Sequence, residues 1–198
     1  SICSHVLLQA VAGASGVEEL SPMPLGSNES MTTDAQEASP RWQQLMLGGI
    51  QRVGLSSGQG DPPSELLFPG AFNPIHDGHR QMVAVSERLT LLPLAYEVSV
   101  VNVDKPALDY IEIDRRVAGL EYGSVWLTRA ATFRDKAKLF PGATFVVGAD
   151  TLWRIADPSY YSGDALKVAA AIDELRDLGS KFLVFGRVIG ESFCTVEE

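Results

Sequence analysis

Leu66-Leu67-Phe68-Pro69-Gly70-Ala71-Phe72-Asn73-Pro74-Ile75-His76-Asp77-Gly78-His79-Arg80 is the stretch on which the reading of the chain turns. A short apolar run, the length of a buried strand, ends at Gly70; a turn follows, and a helical pattern begins near Gly78. The chain contains only three histidines, and two of them, His76 and His79, flank Gly78 where that helix starts. The arrangement suits an anion. Gly70 and Ala71 carry little bulk, so a ligand can approach the main chain. Gly78 leaves room beside the imidazoles, and the first turn of a helix offers unpaired N–H groups. Taken alone, the residues leave a second reading open, in which both histidines cap the helix or pack in the turn.

Downstream, strands and helices alternate. The periodicity predicts a helix over 78–89 with Met82, Val83, Val85 and Leu89 on its apolar side, a strand over 96–103 and a helix over 111–120. A strand over 124–128, a helix over 132–140 capped by Thr132, and a strand over 143–148 come next. A short helix over 151–156, a longer one over 163–178 and a last strand over 181–186 complete the pattern. Such alternation predicts an α/β fold, a Rossmann-like, mostly parallel sheet of about five strands with helices on both faces. Right-handed crossovers then gather the loops after each strand on one edge. Gly70-Ala71-Phe72, Asn102-Val103-Asp104-Lys105, Thr128-Arg129, Gly148-Ala149-Asp150 and Gly186-Arg187 all follow apolar runs with small, polar or charged residues.

Upstream, residues 1–63 read as an N-terminal helix, His5 to Ala12 ended by Gly13, followed by a segment rich in Ser, Gly and Pro. Within it Trp42 to Leu47 suggests a turn of helix stopped by Gly48-Gly49, and residues 54–63 read as a flexible linker. The ordered domain is expected over 64–198. Sixteen basic against 25 acidic residues leave a net charge of −9, which argues against a nucleic-acid binder. Cys3 and Cys194 form neither a disulfide framework nor a metal spacing, so a reducing, cytoplasmic location is the default. No apolar run approaches the ~20 residues of a membrane span, and the first residues lack the basic start of a secretory signal. Membrane and nucleic-acid partners are therefore not expected, and homo-oligomerisation stays open.

The motif His76-Asp77-Gly78-His79 resembles the H-x-G-H signature of the nucleotidylyltransferase superfamily. With Gly70-Ala71-Phe72-Asn73-Pro74 before it, the stretch is most similar to the nicotinamide/nicotinate mononucleotide adenylyltransferases. The similarity runs over about 65–187. It implies transfer of AMP from ATP to a mononucleotide phosphate, with pyrophosphate released and Mg²⁺ carried mainly by the ATP phosphates. His76 and His79 would then contact the ATP phosphates. Gly70, Ala71, Phe72, Asn73, Gly78, Gly148, Asp150 and Arg187 would bind the nucleotide, and Lys105 and Trp153 the acceptor. Asp150 reads equally as a helix cap, Trp153 equally as core, and Arg129 as structural; no protein metal site is expected.

The chain departs from that family in two places. Ala71 stands where a Ser or Thr is common, and no I-S-S-T-x-x-R-like segment follows Arg187, so the C-terminus is absent or the ATP grip lost. Residues 7–16 resemble a fragment of the competence/damage-inducible amidohydrolase family, from which no amidohydrolase activity is inferred. The remaining alternatives are another phosphorylated acceptor, or a nucleotide-binding protein without catalysis.

Overall fold

The structure, a computed structural model, describes residues 7–8, 10–13, 15–16, 37–56, 60–103, 106–120, 123–189 and 192–194, the side chains of 187–194 excepted. The chain divides into two compact units, Ser1–Glu37 and Ala38–Glu198. In the first, residues 7–8 and 10–13 are helical, where a helix is expected; His5 lies outside the described residues.

The second unit opens with α1 (Pro40–Leu47). Pro40 occupies the first helical turn, where its missing N–H costs nothing, and the Ser39 hydroxyl accepts from the Trp42 N–H. Gly48 ends the helix in the left-handed conformation, and the Arg129 guanidinium donates to the Leu45 and Met46 carbonyls at 3.1 and 2.8 Å. Arg129 is structural, as its sequence context suggests.

The elements that follow are β1 (Arg52–Leu55), β2 (Leu66–Pro69), α2 (Asp77–Thr90), β3 (Leu94–Ser99), α3 (Tyr110–Ala118), β4 (Ser124–Thr128) and α4 (Phe133–Leu139). Beyond them lie β5 (Thr144–Gly148), α5 (Ala149–Ala156), a 3₁₀ turn (Pro158–Tyr161), α6 (Ala165–Asp177) and β6 (Lys181–Phe185). A small antiparallel hairpin, β7 (Arg187–Ile189) and β8 (Ser192–Cys194), comes last. Thr132 caps α4 as expected, accepting from the Asp135 N–H at 3.2 Å.

The main sheet has six strands in the order β1-β4-β3-β2-β5-β6, all parallel except β1, which runs antiparallel to β4. The α/β class and the mostly parallel sheet agree with the sequence reading; six strands rather than five do not. The additional strand is β1, hidden by its length of four residues and by Gly54. That glycine is a close approach. A Cβ there would stand 2.3 Å from Pro62 Cδ and 2.9 Å from Asp61 Oδ1. The Trp126 indole N–H also donates to the Pro63 carbonyl at 3.0 Å. Residues 61–63, which read as linker, are therefore laid against the sheet edge.

Alternation along the strands builds an apolar layer on each face. Leu66, Phe68, Tyr96, Val98, Val125, Leu127 and Val146 join Leu45 of α1, Ile113 of α3 and Met82 and Val83 of α2. Leu67, Ala95, Trp126, Phe145 and Val147 join Ala137 of α4 and Leu175 of α6. β2 and its neighbours are buried almost without interruption, as strands covered on both faces must be. The order of the strands reverses between β2 and β5: the chain runs outward through β3 and β4, returns beside β2, and runs outward again through β6. In open sheets of this kind the carboxyl ends flanking the reversal form a crevice.

Candidate functional site

The two loops that flank the reversal are those after β2 and β5, and a cavity of about 770 Å³ lies there. Of the residues singled out from sequence, Gly70, Phe72, His76, Gly78, His79, Gly148 and Asp150 line it. They come from segments some seventy positions apart, joined by the pairing of Leu66 and Leu67 with Thr144 and Phe145.

The turn after β2 is compact for a steric reason. Gly70 donates its N–H to the Glu97 carbonyl at 3.0 Å, and the Phe72 ring folds back over it; a Cβ at 70 would stand 2.6 Å from that ring. Phe72 takes a positive φ of 44° and is buried. Its ring meets Phe68, Tyr96 and His79 edge-on, at centroid distances of 5.3, 5.0 and 5.3 Å. The Phe72 side chain is thus a support beneath His79.

His76 is the N-cap of α2, and its backbone N–H donates to His79 Nδ1 at 3.3 Å. Capping and ligand binding, the two readings of the histidine pair, turn out compatible. With Nδ1 accepting, the neutral His79 ring carries its proton on Nε2, which stays available as a donor. The two imidazoles stack at 3.6 Å with planes 24° apart. A Cβ at Gly78 would stand 3.1 Å from the His76 ring, so any larger residue crowds that stack. Burial against the aromatic cluster lowers the His79 pKa, with the charges of His76 and Arg80 acting in the same direction. His79 is consequently a neutral donor near pH 7, and an anion beside it would draw its pKa up again. Asp77, in the first turn, is paired with Arg80 at 3.2 Å.

Across the cavity, Gly148 caps α5, and Asp150 stands in that helix's first turn, not at the cap. A Cβ on Gly148 would stand 2.8 Å from Asp150 Oδ1, so the glycine makes room for the carboxylate.

Sequence reasoning missed Gln81, Met82 and Val85 of α2, Thr151 of α5 and Phe185 at the end of β6 as lining residues, whereas Gly186, one of the loop residues it gathered on this edge, does line the cavity. A signal for the first three exists: Gly78, Gln81, Met82 and Val85 repeat at i, i+3, i+4 and i+7, one face of a helix.

Other expected site residues lie elsewhere. Ala71 and Asn73 do not line the cavity; Asn73 instead donates to Glu112 at 3.0 Å and accepts from Arg115 at 3.1 Å. Trp153 is 43% exposed on α5 and lines neither this cavity nor the second one below. Lys105 and the Arg187 side chain lie outside what the structure describes. A second cavity, of about 500 Å³, shares Thr151 with the first. Its walls include Asn102 after β3, Thr132 after β4, and Arg154, Tyr160 and Tyr161. Arg154 lies over the Tyr160 ring and donates to its hydroxyl at 3.0 Å.

Among the described residues, no group of three or more His, Cys, Asp or Glu side chains is placed to hold a metal ion, and no helix is long and apolar enough to cross a membrane. The chain matches no protein-family model and no curated protein.

Proposed function

We propose that this chain is a nucleotidylyltransferase with a Rossmann-like core, transferring AMP from ATP to the phosphate of a mononucleotide, of the nicotinamide or nicotinate type. One observation carries the reading. The stacked His76–His79 pair at the N-terminus of α2 and the Gly148–Asp150 turn at the N-terminus of α5 share one cavity where the strand order reverses.

The chemistry asks little more of a protein. An oxygen of the acceptor phosphate attacks the α-phosphorus of ATP, the bond to the bridging oxygen of the β-phosphate breaks, and pyrophosphate leaves with that electron pair. The nucleophile is already anionic, so positioning and charge stabilisation do the work. His79 Nε2–H and the free N–H groups of α2 supply donors for oxygens on which charge builds. Mg²⁺ arrives on the ATP phosphates as part of the substrate. The second cavity, with its aromatic and cationic wall, suits the acceptor, and Tyr160, Tyr161 and Arg154 take the place sequence reading assigned to Trp153. Such a reaction belongs in the cytoplasm, where ATP is plentiful.

The test is pyrophosphate release from ATP with nicotinamide or nicotinate mononucleotide, beside His79→Ala. Release that needs the mononucleotide and falls at least ~100-fold in the variant is expected. Release with only another phosphorylated acceptor would move the substrate. ATP binding without release would make the chain a binding module and end the enzymatic reading.

A further inference from the structure

A network of side chains outside both cavities ties the histidine turn to α3. Glu112, in the first turn of α3, holds two arginines: its Oε1 accepts from Arg116 Nε and Nη2 at 2.9 and 2.7 Å, and its Oε2 from Arg115 Nη2 at 2.6 Å. Asn73 is gripped at both ends of its amide, its Nδ2 donating to Glu112 Oε1 and its Oδ1 accepting from Arg115 Nη2. The anchor is firm, since the Arg116 side chain is only 13% exposed and Asp109 Oδ1 accepts from the Glu112 N–H at 2.7 Å. Only Pro74 and Ile75 separate Asn73 from His76, and Ile75 packs against the apolar layer. Asn73, held by α3, and Ile75, packed on the core, are the points from which the turn reaches His76.

We propose that Glu112 is a positioning residue: through Asn73 it sets the turn that aims the His76 N–H at His79 Nδ1, and so fixes which nitrogen of His79 carries the proton. Its catalytic consequence rests on the proposed transfer reaction; its structural consequence does not. With the turn released, His79 Nδ1 loses its donor, the neutral ring divides between two tautomers, and the fraction offering Nε2–H falls.

The test uses the full chain and compares Glu112→Ala and Asn73→Ala with Glu174→Ala. Glu174 holds Arg134 and Lys138 in the same one-carboxylate, two-cation pattern, with no residue of the histidine turn in it. Imidazole nitrogen shifts at about pH 8, where the ring is neutral, read the His79 tautomer, assigned with His79→Ala. The native chain, Glu174→Ala and Glu112→Gln, which keeps an oxygen acceptor, are expected to show the single Nε2–H form. Glu112→Ala and Asn73→Ala are expected to show a mixture. Should Glu112→Ala fail to fold, Asn73→Ala, which leaves the carboxylate with both arginines, decides alone. A single Nε2–H form in Asn73→Ala overturns the proposal. For pyrophosphate release, both alanine variants should lower kcat about 10- to 100-fold with a smaller change in KM for ATP. Glu174→Ala is the control for the tautomer alone, since the Arg134 and Lys138 it holds line the second cavity. No release by the native chain would sink the transfer reaction while the tautomer measurement still decided the positioning role.

Discussion

Glu97 and Glu112 each hold cations, and they stand in opposite situations. Glu97, fully buried on β3, accepts from Lys136 Nζ at 2.7 Å and from the Thr128 hydroxyl at 2.5 Å; Lys136, 6% exposed, also donates to the Ala130 carbonyl at 2.9 Å. Every partner is internal, and the knot locks α4 to the sheet. Glu112 sits at the surface of α3, where Arg116 and then Arg115 hold its carboxyl below the ordinary value by hydrogen bonding. Burial makes the first knot an all-or-none part of the fold, because a lone charge there has no water to fall back on. The second knot keeps some access to water, so breaking it should cost the fold less.

The largest effect expected from breaking either knot is in the buried one. Lys136→Met leaves the Glu97 carboxylate uncompensated and should lower stability by about 3–5 kcal/mol, measured by denaturant unfolding. Combining it with Glu97→Leu should recover most of that loss, since an apolar pair of similar volume replaces both charges. A double variant no better than Lys136→Met would show that the pair matters for packing and not for charge.

A smaller effect is expected at the seam between the two regions. Gly70 is tied to the Glu97 carbonyl behind and covered by Phe72 in front. Gly70→Ala must displace the buried ring and should cost about 1–3 kcal/mol, with ATP binding weakened at the same time. Loss of stability with unchanged binding would mean that Phe72 does not support the site.

The smallest effect concerns pH. The His79 pKa in the folded chain is lowered, so the unfolded chain binds the proton more readily. Stability is full above the unfolded value of about 6.5 and falls as pH drops below it. An anion on Nε2 draws the pKa up, so pyrophosphate should bind more tightly at pH 6 than at pH 8, by calorimetry. His79→Gln should weaken the preference for pH 6, leaving the titration of pyrophosphate itself. Binding that ignores pH in the native chain would place the anion away from His79.

Much of this was legible in the sequence because it is written locally. Apolar runs of strand length, the Thr132 cap, the Gly48 stop and the alternation of elements are decided within a few residues by sterics and hydrogen-bond capacity. So is the placement of His76 and His79 at a helix start. What stayed hidden depends on residues far apart. Nothing within Arg52–Leu55 announces a strand; its pairing with β4 and the pressing of Pro62 on Gly54 make it one. Asn73 read as a nucleotide contact through the family resemblance, and in the structure its amide is held by Glu112 and Arg115 of α3. Trp153 read equally as an acceptor contact and as core, yet it is 43% exposed, and it is Tyr160 and Tyr161 of the 3₁₀ turn that line the second cavity.

By itself, then, the sequence determined the class of fold, the alternation of strands and helices from β2 to β6 and the place of the two histidines at a helix start, since these follow from short-range periodicity and residue type. Tertiary structure alone decided that β5 lies beside β2, which brings Gly148 and Asp150 to the histidines, and that Glu97 meets Lys136 while Glu112 meets Asn73. Those pairings join positions 39 or more residues apart, and only burial of two apolar layers against one sheet selects them.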